Sequence, residues 1–183
     1  MSFIIILLKY IREIVRILFF TVKYRKNLCQ FAKVKLYRES KFIIGENSII
    51  GNAQSPGYLS YAYIDVRKGS EGILIGCDCR IGNQFTAISE SKIVFGNSCL
   101  IGNRLKVFDS DFHSTDIYRM NKNALKSPVV VGNNVFIGDD VLILKGVTIG
   151  SNSVIAAGSV VTKSFQSNVI IAGNPAKLIG HVE

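Results

Sequence analysis

Tryptophan is absent from the 183 residues, proline occurs three times and histidine twice. Scarce proline, with 48% hydrophobic and only 19% charged residues, excludes a disordered or collagen-like chain. The length suits one main domain with attachments. The four cysteines, Cys29, Cys77, Cys79 and Cys99, lack the paired spacing of a zinc site and are too few for a disulfide framework. A reducing cytoplasm is therefore the expected setting. No uninterrupted apolar run approaches the roughly 20 residues that span a bilayer, since the longest opening run, Phe3 to Leu8, stops at Lys9. A secretory signal needs a longer apolar centre and a small-residue cleavage site, and Tyr24-Arg25-Lys26-Asn27 is the wrong flank.

Acidic residues are scarce at one end only. Residues 1–38 hold nine basic side chains against one acid, Glu13, so eight of the nine net positive charges lie there. The rest of the chain is nearly neutral, which argues against a nucleic-acid partner. Within residues 1–22 the apolar positions Ile4, Leu7, Leu8, Ile11, Ile14, Val15, Leu18, Phe19 and Val22 recur at helical spacing, with Lys9, Arg12, Glu13 and Arg16 on the other side. The spacing predicts an amphipathic helix. It fits either peripheral contact of residues 1–25 with an anionic membrane surface or packing against protein. In this reading residues 1–38 form a basic helical segment and residues 39–183 the main domain.

From Val131 onward, Val131, Ile137, Ile143, Ile149, Ile155 and Val161 stand six apart, and Gly132, Gly138 and Gly150 directly follow three of them. Four positions after the aliphatics come Val135, Val141, Val147, Ser153 and Ser159, all small or β-branched. Between them lie Asn133, Asn134, Asp139, Asp140, Ser151 and Asn152, residue types that tolerate the conformations of a sharp corner. Each six-residue unit is one short strand and one corner. The unit also occurs at Ile44-Gly45, Ile50-Gly51, Ile75-Gly76, Ile81-Gly82 and Ile101-Gly102, with Cys79 and Cys99 at inward positions as small hydrophobes. A period of six marks a parallel β-helix, whose coils bury their apolar sides by stacking. The phase breaks at residues 52–72, near Ser89 to Ser91, and between Phe108 and Ser127. These breaks are candidate loops, and loops on a rigid scaffold are where chemistry is placed.

The segment VVVGNNVFIGDDVLILKGVTIGSNSVIAAGSVVTKSFQSNVIIAGNPAKLIG, Val129 to Gly180, resembles the hexapeptide-repeat acyltransferases. The branch it resembles holds the maltose, galactoside and bacterial polysaccharide O-acetyltransferases. The resemblance covers about residues 40–180. It implies a mainly β fold, a left-handed parallel β-helix against the usual right-handed crossover rule, assembled as a homotrimer with acetyl-CoA between coils.

Of the two histidines, His113 and His181, the first lies inside the most obvious interruption, in FDSDFHSTD, and resembles the family's catalytic histidine. Acetyl transfer from a thioester to a sugar hydroxyl requires removal of the hydroxyl proton, a task for a neutral imidazole at neutral pH. His113 is the expected general base, in an active-site loop at about residues 108–128. Asp111 and Asp109, ahead of Asp116, are the acids expected to orient it. No metal is expected, because a thioester is a competent acyl donor without a Lewis acid.

The resemblance further implies an oxyanion-binding amide at Gly138 or Asp139. It also implies a pantetheine path along Ala156, Ala157 and Thr162, and a nucleotide end near Lys163, Lys177 and the turn Gly173-Asn174-Pro175-Ala176. Relatives often carry a small residue at the position of Asp139 and a Trp at that of Phe136. They also often use an upstream Asn to position the acceptor, and Phe85-Thr86-Ala87-Ile88-Ser89 has none. Tyr58, Tyr61 and Tyr63 offer stacking faces for a carbohydrate and suit equally the packing of a loop. The expected activity is O-acetylation of a sugar hydroxyl in a bacterial surface polysaccharide or its precursor, at the inner membrane face. The alternatives are N-acetylation of a nucleotide-linked amino sugar and a noncatalytic scaffold.

Overall fold

The computed structural model describes residues 31–37, 41–114, 118 and 124–183. The amphipathic helix expected over residues 1–22 lies outside them. In chain order the strands are β1 (Phe31–Leu36), β2 (Phe42–Ile44), β3 (Ile49–Ile50), β4 (Tyr61–Val66), β5 (Gly72–Ile75) and β6 (Arg80–Ile81). Next come β7 (Thr86–Ser89), β8 (Lys92–Phe95), β9 (Leu100–Ile101), β10 (Lys106–Phe108), β11 (Val129–Val131) and β12 (Phe136–Ile137). The last six are β13 (Leu142–Ile143), β14 (Thr148–Ile149), β15 (Val154–Ile155), β16 (Val160–Val161), β17 (Val169–Gly173) and β18 (Ala176–His181).

Pairing skips two strands each time, as a three-sided coil requires, except at the end, where β17 pairs with β15 and β18 with β17. One wall runs β1-β4-β7-β10-β13-β16, a second β2-β5-β8-β11-β14, and a third β3-β6-β9-β12-β15-β17-β18. Every pairing is parallel except the closing hairpin β17-β18. These are called the first, second and third walls.

The six-residue period is the physical cause of this shape. Val131, Ile137, Ile143, Ile149, Ile155 and Val161 are all at most 1% exposed, and so are Val135, Val141, Val147, Ser153 and Ser159 between them. Two inward residues per unit fill the tube, each fully buried isoleucine contributing about 1.5–3 kcal/mol relative to exposure. Cys79 and Cys99 stack in the same inward column as Ser48, Val135 and Ser153, so their packing role is as expected. The corners use left-handed backbone at Asn47, Asp78, Ser98, Asn134 and Asn152 on one edge, and at Gln84, Arg104 and Asp140 on another. At Gly138 a Cβ would lie 2.5 Å from the backbone nitrogen of Ala157, so only glycine allows the coils to stack there.

Two expectations are corrected. Strand β1, Phe31–Leu36, belongs to the coil and lies inside the segment read as helical to residue 38. Phe31-Ala32-Lys33-Val34-Lys35-Leu36 alternates with the period of a strand and pairs in register with β4. The phase break at Ser89 to Ser91 is a corner of the coil and not a loop: β7 ends at Ser89 and β8 begins at Lys92.

Candidate active site

The interruption that carries His113 leaves the first wall after β10 and returns before β11. Its base is a stem in which Asp111 N–H donates to the Leu125 carbonyl at 3.0 Å and Ser127 N–H to the Asp109 carbonyl at 2.9 Å. Asp109 is fully buried beneath it. Ser89 Oγ donates to its Oδ2 at 2.6 Å, Glu90 N–H to Oδ1 at 2.7 Å and Ser91 N–H to Oδ2 at 2.9 Å. Both carboxylate oxygens are spent on the β7-β8 corner, so Asp109 anchors the loop where orientation of His113 was expected of it. Asp111 accepts from Lys145 Nζ at 2.7 Å and ties the loop to the corner after β13. Asp116 lies outside the described residues. His113 itself is exposed and makes no hydrogen bond among the described residues.

A second network, with no counterpart in the sequence reading, holds the residue before the histidine. Phe112 adopts a left-handed backbone with φ of 61°, its N–H donates to Ser110 Oγ at 2.9 Å, and Ser110 Oγ donates to Glu90 Oε2 at 2.7 Å. Arg67 Nη1 meets Glu90 Oε1 at 2.8 Å while its guanidinium lies 4.5 Å from the centre of the Phe112 ring. Burial opposes ionisation of Glu90, but the Ser110 hydroxyl and the Arg67 charge outweigh it and hold the carboxyl below the usual glutamate range. The phase break at Ser89 to Ser91 was the available signal, since it marks where the loop is anchored.

The corner between the third and first walls is a ladder of side-chain oxygens. Asn52 N–H donates to Asn83 Oδ1 at 2.8 Å, Asn83 N–H to Asn103 Oδ1 at 2.9 Å, and Asn103 N–H to Asp139 Oδ1 at 2.8 Å. The next coil places Ala157 in that position, and a methyl group accepts nothing. The Asp139 amide therefore has no hydrogen bond among the described residues, and neither has that of Ala157. The two candidates for the oxyanion donor thus separate: Gly138 N–H is committed to the Ile155 carbonyl at 2.8 Å, whereas Asp139 N–H is available. The Asp139 carboxylate faces away along the ladder, where Arg104 lies 3.5 Å off and pairs bidentately with Asp140 at 2.6 and 2.7 Å.

Beyond Asp139 the corner is bare. Ala156, Ala157 and Gly158 carry no bulk, and a Cβ on Gly158 would meet nothing within 4 Å. Thr162, Lys163, Pro175 and Lys177 are exposed further along, with Lys163 Nζ 5.5 Å from the centre of the Phe165 ring. Open backbone amides and two lysines at the far end suit an amide-containing arm that ends in phosphates. On the other side of Asp139, the first wall holds a cavity of about 540 Å³ lined by Tyr61, Tyr63, Thr86, Arg104, Lys106 and Asp140. Tyr61 and Tyr63 thus belong to strand β4 and not to the preceding loop that holds Tyr58. Among the described residues no three His, Cys, Asp or Glu side chains gather as a metal site requires.

Residues 128–163, the most regular coils, match the family model described as bacterial transferase hexapeptide (six repeats). They define a hexapeptide-repeat transferase. The galactoside O-acetyltransferase of Escherichia coli K12 is 33% identical over 147 residues, 80% of this chain and 67% of that protein. A 2,3,4,5-tetrahydropyridine-2,6-dicarboxylate N-acetyltransferase of Clostridium perfringens is 47% identical over 58 residues, 32% of this chain and 25% of that one. Among solved structures, a hexapeptide-repeat acetyltransferase of Vibrio cholerae O1 biovar eltor, complexed with acetyl coenzyme A, superposes with a TM-score of 0.64 at 26% identity. It covers 77% of this chain and 71% of its own. The chain belongs to the hexapeptide-repeat transferase family, with the left-handed parallel β-helix expected of it, and is an acetyltransferase.

Proposed function

We propose that the protein transfers the acetyl group of acetyl-CoA to a hydroxyl of a sugar in a bacterial surface polysaccharide or its precursor. The observation that carries this reading is the end of the corner ladder at Asp139. One open amide stands between a bare corner that suits the coenzyme arm and a tyrosine-lined cavity that suits a sugar ring.

His113 and Asp139 lie at opposite edges of the first wall, because Asp139 precedes β13 while the His113 loop follows the neighbouring β10. The reading therefore takes a homotrimer in which His113 of one copy faces the Asp139 corner of the next. In that arrangement His113 accepts the hydroxyl proton as the sugar oxygen attacks the thioester carbonyl carbon. The tetrahedral oxyanion is met by the Asp139 N–H, the carbon–sulfur bond breaks, and the imidazolium returns the proton to the leaving thiolate. No covalent enzyme intermediate is formed.

The polysaccharide setting draws support from the basic segment at residues 1–38, which suits an anionic membrane face where lipid-carried glycans are assembled. The rival reading is N-acetylation of a nucleotide-linked amino sugar; the similarity to the N-acetyltransferase of Clostridium perfringens supports its N-transfer chemistry and not its acceptor. Incubation with acetyl-CoA and a panel of glycans, glycosides and nucleotide amino sugars separates the two. The proposal expects an ester product that mild alkali removes. A product formed only on nucleotide amino sugars and stable to alkali would overturn it, and absence of acetyl-CoA binding by calorimetry would favour a scaffold.

A further inference from the structure

We propose that Arg67 is a positioning residue for the His113 loop, acting through Phe112 and Glu90; this rests on the reading of His113 as the general base. Arg67 follows β4 on the first wall and belongs to a coil two turns before β10, so sequence distance hides its relation to the loop. Its backbone N–H donates to the Ser89 carbonyl at 2.8 Å, which fixes its origin on the corner that Asp109 also anchors. From there the guanidinium reaches three groups. It pairs with Glu90 at 2.8 Å, lies 3.6 Å from Asp65 Oδ2, and presents its flat face to the Phe112 ring at 4.5 Å.

Each contact bears on the residue beside the base. Glu90 receives the Ser110 hydroxyl, and Ser110 receives the Phe112 N–H, so a continuous run of bonds leads from Arg67 to the peptide that enters Phe112, the residue before His113. Phe108 packs edge-to-face with Phe112, with ring centres 5.7 Å apart, so the Phe112 ring touches both β10 and the guanidinium. That double hold keeps an aromatic residue at φ of 61°, a conformation that side chains other than glycine's rarely adopt.

Asp65 adds a reason why a cation is needed. Its side chain is 7% exposed, its Oδ2 has the Tyr63 hydroxyl at 3.4 Å, and its Oδ1 is the one buried side-chain oxygen among the described residues without a hydrogen bond. Loss of Arg67 leaves Asp65 and Glu90 as two carboxylates with no common cation between them, and the Phe112 ring loses its cover. Arg67 itself is one-third exposed and outside the tube, so its removal touches no core packing.

The test compares Arg67→Ala, Arg67→Lys, Phe112→Ala and the Arg67→Ala/Phe112→Ala double variant by steady-state thiol release from acetyl-CoA with a galactoside acceptor. His113→Ala is measured in parallel. Misplacement of a base by about 1 Å costs roughly 100-fold, so Arg67→Ala is expected to lower kcat about 10- to 100-fold. The KM for acetyl-CoA stays within about twofold, because neither Arg67 nor Phe112 is among the residues that line the coenzyme path. Lysine keeps the charge without the flat face and is expected to fall between. The double variant is expected to be no slower than the slower single variant, since both substitutions open the same hold. Hydrogen exchange over residues 108–114 is expected to quicken in Arg67→Ala while the coils stay protected, a readout independent of turnover. Wild-type kcat in Arg67→Ala, or additive losses in the double variant, would overturn the proposal while His113→Ala remains inactive. Full activity of His113→Ala would instead remove the base reading on which it rests.

Discussion

The walls and the loop of this protein are built on opposite terms. The walls are held by repetition: two inward apolar or small residues per six, each protected by coils above and below. The described start of the loop, residues 109–114, is held by single polar commitments, with Asp109 bound to three donors, Asp111 to Lys145, and Phe112 to Ser110 and Arg67. The difference teaches where this fold stores rigidity and where it can place a reacting group. A repeat shares its strain over many equivalent positions, whereas a stem of unique bonds fixes one geometry and fails at one substitution.

That contrast can be broken from either side. Ile143→Ala removes a fully buried wall residue and is expected to cost about 2–5 kcal/mol, read as a lower denaturation midpoint of the whole protein. Asp109→Asn keeps the size of the anchor but puts a donor where three donors point, with an expected loss of about 1–3 kcal/mol. Exchange is expected to open first at residues 109–111 and 125–127, not in the coils. Asp111→Asn weakens a half-exposed ion pair worth about 0–1 kcal/mol, so stability is expected to change little. Asp139→Asn sharpens the comparison most: the ladder still has its Oδ1 acceptor and the backbone amide is untouched. Transfer is expected to stay within about threefold of wild type, and a large loss would move the function from the amide to the carboxylate.

Acid offers a graded version of the same contrast. Glu90 ionises below the ordinary glutamate range, so its contribution to the stem is fully present above about pH 4.3 and is lost as pH falls through its lower folded value. The protection factor over residues 108–114, taken against the base-catalysed intrinsic exchange rate, is expected to be flat between about pH 6 and 8 and to fall only in acid.

The walls were legible in the sequence because a period of six leaves its mark at every turn, from Val131 to Val161 and more loosely from Ile44 to Ile101. The loop's place and its histidine were legible as the most obvious loss of phase. Its internal bonding was not, since the donors to the Asp109 carboxylate and the guanidinium against Phe112 lie 18 to 45 residues away and no local spacing announces them. Asp109 looked like an orienter because it stands near His113 in the chain, yet strand β10 ends there and turns its side chain inward. The choice between Gly138 and Asp139 needed the neighbouring coil, because only the methyl of Ala157 explains why one amide is open. Residues 31–36 were drawn into the basic segment by their lysines, although their alternation is that of a strand.

The account stands most directly on a single-turnover measurement of acetyl transfer by His113→Ala, with acetyl-CoA binding followed by calorimetry on the same sample. The prediction is unchanged coenzyme binding with transfer slowed by about 10²- to 10⁴-fold. Transfer at the wild-type rate by a variant that still binds the coenzyme would contradict it.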